Sequence, residues 1–168
     1  MTKSMTDAPS PGTTYNILFV CTGNTCRSPM AEAIARAELA RRGWRHVQVA
    51  SAGTAADPGA GAATPAVSVA ARRGIDLNRH ASVRLDERVI EWADLILVMS
   101  PSHAEPVAWQ GGGDKVALLG DFAAGEEGMG RPVPDPYGGE EAMYEETFQE
   151  LERLVSSSLD RLAPILQP

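Results

Sequence analysis

Two cysteines and an Arg-Ser pair lie within the short segment VCTGNTCRS, as Cys21, Cys26, Arg27 and Ser28. The 168-residue chain contains no other cysteine. A cysteine thiolate is a strong nucleophile, and a guanidinium fork binds two oxygens of a phosphate-like anion. The pattern C-x5-R-S therefore predicts attack by Cys21 on an oxyanion that Arg27 holds.

The neighbouring sequence places this segment between a strand and a helix. The apolar run Tyr15 to Val20 predicts a buried strand, and Ser28 to Gly43 predicts a helix. Gly23 and Asn24 tolerate left-handed backbone angles, so the loop can turn its N–H groups toward an anion at the helix N-terminus. Cations and helix N-termini favour the thiolate form of a cysteine, and the Ser28 hydroxyl can donate a hydrogen bond to it.

The segment has two other interpretations, and the second is weak. The cysteines can be small buried residues in a tight turn. A nucleotide-binding loop is a poor alternative, because it needs G-x-x-x-x-G-K-[ST] and the lysines of this chain are Lys3 and Lys115.

Further elements alternate along the chain. Strands are predicted at 46–51, 93–100 and 115–120, helices at 65–73, 101–110 and from Glu140 onward, and a loop at 120–139. Strands that alternate with helices predict an α/β fold, with a mostly parallel sheet covered on both faces.

Composition indicates one globular domain over residues 15–166 and a disordered leader over residues 1–14. The formal charge of -7 argues against binding to nucleic acid or to an anionic membrane. The sequence has neither a secretory signal nor a membrane-spanning run, so the expected compartment is the cytoplasm. Three dispersed histidines give no metal-ligand spacing, and His46 and His103 have no chemistry-bearing neighbours in the sequence.

The segment VCTGNTCRSPMAEAI resembles the low-molecular-weight protein tyrosine phosphatases, and most closely their bacterial branch that acts on phosphoarginine. The resemblance extends to SAGT (51–54), GIDLNRHAS (74–82), ADLILVMS (93–100) and DPYGG (135–139). It implies a flavodoxin-like three-layer sandwich, with a four-stranded parallel sheet in the order 2-1-3-4. It also implies a two-step dephosphorylation without metal or cofactor.

The resemblance assigns roles to individual residues. Cys21 is the nucleophile, Arg27 binds the phosphoryl group, and Asp135 is the general acid and then the general base. Asn24, Ser28, Ser51 and His80 match a supporting hydrogen-bond network. The residues expected to contact substrate are Thr22, Gly23, Asn24, Thr25, Cys26, Ser28 and Tyr137. The expected partners are phosphorylated proteins, with inorganic phosphate as product.

Thr25 favours phosphoarginine over phosphotyrosine. Tyrosine-directed relatives carry an aliphatic residue there, whereas a hydroxyl can bond a guanidinium. The segment TAADPGAGAA (54–63) also lacks an aromatic residue that could stack on a phenyl ring. The alternatives are a phosphotyrosine phosphatase of the same family, a thiol-coupled arsenate reductase, which needs further cysteines, and an inactive phosphate-binding module.

Cys26 predicts redox regulation. It lies in the same tight loop as Cys21, and a neighbouring thiol can trap the sulfenic acid of an oxidised thiolate. We expect a reversible Cys21–Cys26 disulfide that switches activity off.

Overall fold

The computed structural model describes residues 14–166, and its centre is a parallel sheet of four strands. The strands are β1 (Tyr15–Cys21), β2 (Val47–Gly53), β3 (Leu95–Val98) and β4 (Val116–Leu118). Their order in the sheet is β2-β1-β3-β4, so the predicted topology is confirmed. The predicted leader lies outside the described residues, apart from Thr14.

Six α-helices connect and cover the strands of the described region. They are α1 (Arg27–Arg42), α2 (Thr64–Ala71), α3 (Glu87–Trp92), α4 (Ala104–Val107), α5 (Leu119–Ala124) and α6 (Glu141–Leu166). A 3-10 turn, Pro101–His103, leads from β3 into α4. None of the helices within residues 14–166 has both the length and the apolar character needed to cross a bilayer.

Helices cover both faces of the sheet, because the side chains of β1 alternate between two apolar cores. Ile17, Phe19 and Cys21 belong to the core formed with α1, α2, α5 and α6. Leu18 and Val20 belong to the core formed with α3 and α4. This arrangement confirms the three-layer sandwich, and it places Cys21 on the face that α1 and α6 cover.

Two short helices differ from the expectation. Residues 120–139 were predicted as a loop, but α5 occupies residues 119–124. The helix α3 was not predicted at all. Each has six residues, too few to repeat an apolar pattern at helical spacing.

The carboxyl ends of three strands meet at one edge of the sheet. Cys21 pairs with Gly53 of β2, and Val20 pairs with Val98 of β3. In open α/β sheets, ligands bind at this edge, between strands whose connections leave in opposite directions. A Cβ atom on Gly53 would lie 2.5 Å from the Thr22 carbonyl oxygen, so glycine lets the loop after β1 rest directly on β2.

Candidate active site

The loop from Cys21 to Arg27 depends on Asn24. Its φ of 56° makes it the one non-glycine residue with a positive φ between residues 14 and 166. Its side chain is fully buried: Nδ2 donates to Ser28 Oγ at 2.8 Å and to Ser51 Oγ at 2.9 Å, and Oδ1 accepts from the Val83 N–H at 2.8 Å. Its carbonyl accepts from His80 Nε2 at 2.7 Å. These bonds hold a left-handed turn that costs energy in residues other than glycine.

The predicted supporting network is therefore present as a set of contacts among Asn24, Ser28, Ser51 and His80. It continues to a carboxylate that the sequence did not suggest, because Ser51 Oγ donates to Glu32 Oε1 at 2.6 Å.

The Cys21 sulfur lies at the base of the loop, in a residue that is 2% exposed. It is 2.9 Å from Ser28 Oγ, and the Asn24 N–H donates to it at 3.3 Å. Ser28 Oγ already accepts from Asn24, so its single proton can be donated either to the sulfur or to the Ala52 carbonyl, which lies 3.4 Å away. The sulfur is thus held in place by a backbone N–H and a hydroxyl group.

Arg27 is the first residue of α1 and is 5% exposed. Nη1 donates to the Val133 carbonyl at 3.1 Å, and Nη2 lies 3.5 Å from Asp135 Oδ2. Its buried Nε has no hydrogen-bond partner in the described part of the chain. A buried N–H without an acceptor in the protein lowers stability, unless a ligand accepts a hydrogen bond from it. The guanidinium is thus oriented by its ends while Nε stays available to an oxyanion.

Asp135 lies next to Arg27, although its loop is distant in the sequence. The Val133 N–H donates to the Met99 carbonyl at 2.8 Å, which attaches this loop to the end of β3. The Asp135 side chain is 48% exposed, and its Oδ1 accepts from the Tyr137 N–H at 3.1 Å. Tyr137 itself is 75% exposed.

These groups surround one cavity of about 330 Å³. Its wall is lined by Cys21, Thr22, Gly23, Thr25, Cys26, Arg27, Ala55, Asp57, Ala60, Asp135 and Tyr137. A larger groove of about 650 Å³ runs beside Trp44 at the other end of β2, and no predicted site residue lines it. The smaller cavity is the candidate active site because it brings a thiol, a guanidinium and a carboxylate together.

Cys26 lies in the cavity wall and is buried. Its Sγ is 3.3 Å from the Tyr144 hydroxyl and 3.7 Å from Thr25 Oγ1. Burial raises the pKa of the Cys26 thiol, against the opposite effect of the Tyr144 hydrogen bond. Both cysteines are present as free thiols. Tyr144 belongs to α6, and the sequence assigned it no role in the site.

His103 has neighbours that the sequence analysis did not anticipate. It is buried, and its Nε2 is 2.9 Å from Thr22 Oγ1. It follows β3 at the same sheet edge, and the rule that ligands bind at the carboxyl ends of strands would have pointed to it.

Comparisons with known proteins agree with this geometry. The profile of the family described as low molecular weight phosphotyrosine protein phosphatase matches residues 16–165. A protein-arginine-phosphatase of Bacillus subtilis (strain 168) is 44% identical over 142 residues, which cover 83% of this chain and 91% of that protein. A protein-arginine-phosphatase of Geobacillus stearothermophilus is 39% identical over 155 residues, which cover 91% of this chain and 97% of that protein.

A solved structure is also similar. It is the YwlE arginine phosphatase in a mutant form with a phosphorylated active-site serine. It superposes with a TM-score of 0.81 at 42% identity, covering 88% of this chain and 95% of that chain.

Proposed function

This chain belongs to the low molecular weight phosphotyrosine protein phosphatase family, and we propose that it hydrolyses phosphoarginine side chains of proteins. The observation that carries the proposal is the cavity that Cys21 and Arg27 line together. The Cys21 sulfur accepts from the Asn24 N–H and contacts the Ser28 hydroxyl, and the Arg27 Nε has no acceptor in the described chain. Those features suit a sulfur nucleophile and a bound oxyanion. The resemblance to two protein-arginine-phosphatases supports the choice of substrate.

The first step transfers the phosphoryl group to Cys21. Arg27 and the first N–H groups of α1, which have no intrahelical acceptor, bind the phosphoryl oxygens. The sulfur attacks phosphorus and forms a P–S bond while the P–N bond breaks. Asp135 donates a proton to the leaving nitrogen, so the phosphorylated guanidinium of the substrate departs as the guanidinium of a free arginine side chain.

The second step releases inorganic phosphate. The Asp135 carboxylate accepts a proton from a water molecule, whose oxygen attacks phosphorus as the P–S bond breaks. The Cys21 thiolate and the acid form of Asp135 are regenerated together. A covalent phosphoenzyme of this kind is supported by the similar structure that carries a phosphorylated serine in its active site.

Thr25 supports the preference for phosphoarginine. It lines the cavity, and its hydroxyl makes a single long contact, 3.7 Å, to Cys26 Sγ. The hydroxyl oxygen can therefore accept a hydrogen bond from the guanidinium of the substrate. An aliphatic side chain would leave that N–H unpaired, at a cost of about 1–3 kcal/mol, which corresponds to roughly 5- to 150-fold in rate.

Ala55 and Ala60 line the same cavity, and they have no ring to stack on a phenyl group. Phosphotyrosine remains the second candidate substrate because Tyr137, an aromatic residue of the mouth, lines the cavity too.

The proposal is tested with two peptides of one sequence, carrying phosphoarginine or phosphotyrosine at the same position. We expect the wild-type protein to favour phosphoarginine in kcat/KM. The Thr25→Ile variant should shift the ratio of the two kcat/KM values toward phosphotyrosine by roughly tenfold or more. Thr25→Ser keeps the hydroxyl and is the matched control, so its ratio should stay near that of the wild type.

Two results would contradict the proposal. A Cys21→Ser variant that still turns over either peptide would exclude the thiolate mechanism. A Thr25→Ile variant with an unchanged ratio would exclude the argument for specificity, and the phosphotyrosine alternative would then stand if that peptide were the better substrate.

A further inference from the structure

His103 is a buried polar residue that the mechanism above does not use. It is 3% exposed and ends the 3-10 turn that follows β3. It lies apart from the hydrogen-bond network around Asn24, on the opposite side of β1. Its two ring nitrogens make different contacts, and those contacts determine which nitrogen carries the proton.

The backbone of Ser100 determines which nitrogen carries the proton. The Ser100 N–H donates to Nδ1 at 3.1 Å. A backbone N–H can only donate, so Nδ1 must be the unprotonated acceptor and Nε2 must carry the hydrogen of the neutral ring. Nε2 is 2.9 Å from Thr22 Oγ1, and it therefore donates to that hydroxyl oxygen.

Thr22 Oγ1 has a second donor. Arg27 Nη2 lies 3.5 Å away and also donates to it. Two donors occupy both lone pairs of a hydroxyl oxygen, which leaves the hydroxyl proton to be donated elsewhere. Thr22 is exposed in the cavity wall beside Cys21, so its proton can be donated to the phosphoryl group of a bound substrate.

We propose that His103 is a positioning residue for phosphoryl transfer: its Nε2–H orients the Thr22 hydroxyl as a donor into the cavity and, through that oxygen, helps to hold Arg27. The kinetic part of this inference rests on the proposed phosphatase function.

The neutral ring is favoured by its surroundings. A proton on Nδ1 would point at the Ser100 N–H, and a charged ring would be repelled by the Arg27 guanidinium. Burial first, and the Arg27 charge second, lower the pKa of His103 to about 4, against the opposing charge of Asp135.

A purely structural role for His103 makes a different prediction. Nδ1 caps the 3-10 turn through Ser100, whereas Nε2 alone reaches Thr22. An asparagine places a polar atom near the Nδ1 position, and a glutamine reaches the Nε2 position with an N–H donor. His103→Asn thus keeps the cap and loses the Thr22 contact, while His103→Gln keeps the Thr22 contact.

The kinetic test measures kcat/KM for a phosphoarginine peptide and the inhibition constant of inorganic phosphate, at a temperature well below unfolding. We expect His103→Asn and Thr22→Val each to lower kcat/KM and to weaken phosphate inhibition by about tenfold, and the double variant to lose no more than either single one. His103→Gln should stay within about threefold of wild type. His46→Gln, which precedes β2 at the opposite edge of the sheet, is the control and should change neither value.

A second measurement does not depend on catalysis. Long-range 1H–15N correlation spectra of the full chain resolve three histidines, which substitution assigns. We expect the His103 ring to be the Nε2–H tautomer throughout pH 5.5–8, with a proton that Thr22→Val exposes to faster exchange.

The two measurements distinguish a failure of the positioning role of His103 from a failure of the proposed phosphatase function. An Nδ1–H tautomer, a charged ring at pH 6, additive effects in the double variant, or His103→Asn more active than His103→Gln would each overturn the positioning role. If the wild-type protein hydrolysed no phosphorylated peptide, the proposed function would fall. The spectra and the binding of inorganic phosphate, measured by calorimetry on the same variants, would still decide the role of His103 in anion binding.

Discussion

Replacement of Gly53 by alanine tests how strongly catalysis depends on the close contact between the loop after β1 and strand β2. A Cβ atom there would lie 2.5 Å from the Thr22 carbonyl oxygen, 2.8 Å from the Asn24 nitrogen and 2.9 Å from the Ala56 Cβ. Two of these atoms are backbone and cannot rotate away. Carbon–oxygen contacts relax to about 3.3 Å or more, so the Thr22 carbonyl must retreat by roughly 0.8 Å.

This displacement acts directly on the reacting atoms. Asn24 donates to the Cys21 sulfur, and Thr22 accepts from Arg27, so a shift of both residues moves the nucleophile relative to the guanidinium. A misplacement near 1 Å can lower a rate by about 100-fold. Overpacking of this kind also costs about 1–3 kcal/mol of stability. We therefore expect Gly53→Ala to reduce kcat by roughly 100-fold and to lower the melting temperature by several degrees.

The assay is steady-state turnover of a phosphoarginine peptide and of para-nitrophenyl phosphate, at a temperature where circular dichroism shows the variant folded. Gly61→Ala is the matched control, because its Cβ would meet no atom within 4 Å. It should keep both activity and stability. A Gly53→Ala protein with wild-type kcat would refute the reasoning, even if it were less stable, since the loop would then tolerate the shift.

Three further predictions concern the sulfur, the buried histidine and the second cysteine. Ser28→Ala removes the hydroxyl 2.9 Å from Cys21 Sγ, and we expect the burst phase of para-nitrophenol release to slow by about tenfold or more in stopped-flow experiments; an unchanged burst would contradict the role. The pKa of His103 is lowered from 6.5 to about 4, by burial first and the Arg27 charge second, so the unfolded chain binds a proton between those values that the folded chain does not. Its contribution to the free energy of unfolding is full above pH 6.5 and is lost as pH falls toward 4. In His103→Gln, the free energy of unfolding measured with urea should depend less on pH between about 4 and 6.5. If it fell with pH as steeply as in the wild type, the lowered pKa of His103 would be contradicted. After mild peroxide, mass spectrometry should find a Cys21–Cys26 disulfide in wild type and sulfinic or sulfonic acid at Cys21 in Cys26→Ser; irreversible oxidation with free Cys26 in wild type would exclude the trap.

The sequence predicts the parts of this fold that are long and regular. The helix α6 carries Tyr144, Phe148, Leu151, Val155 and further apolar residues at spacings of three and four, and these residues are buried. The strand β1 is an apolar run apart from Asn16. The short helix α3 lacks such a repeat, and its signal is a single cap: Asp86 Oδ1 accepts from the Val89 N–H at 3.0 Å. One cap residue is too common in turns to identify a helix by itself.

The site divides in the same way between local and distant contacts. Cys21, Arg27 and Ser28 share one loop, so their spacing alone suggests their chemistry. Asp135 required the resemblance to a family, because nothing local distinguishes its Asp-Pro from an ordinary turn. The His103 contact to Thr22 spans 81 positions, and its signal in the sequence is only that both residues follow predicted strands. Such contacts depend on how strands β1 and β3 are ordered in the sheet.

The geometry also separates the buried loop from the rim of the cavity. Asn24, Arg27 and Ser28 are buried. Asn24 is bonded to Ser28 and to β2, and Arg27 is bonded to the loop before Asp135, so a change at any of them disturbs the loop. Thr25 makes one long side-chain contact, and Tyr137 is largely exposed. A substitution at the rim therefore alters what the cavity accepts at little cost to the loop. On this argument Thr25→Ile should change the preference between phosphoarginine and phosphotyrosine while the melting temperature stays within about two degrees of wild type. A large loss of stability in that variant would show that Thr25 supports the loop and does not merely line it.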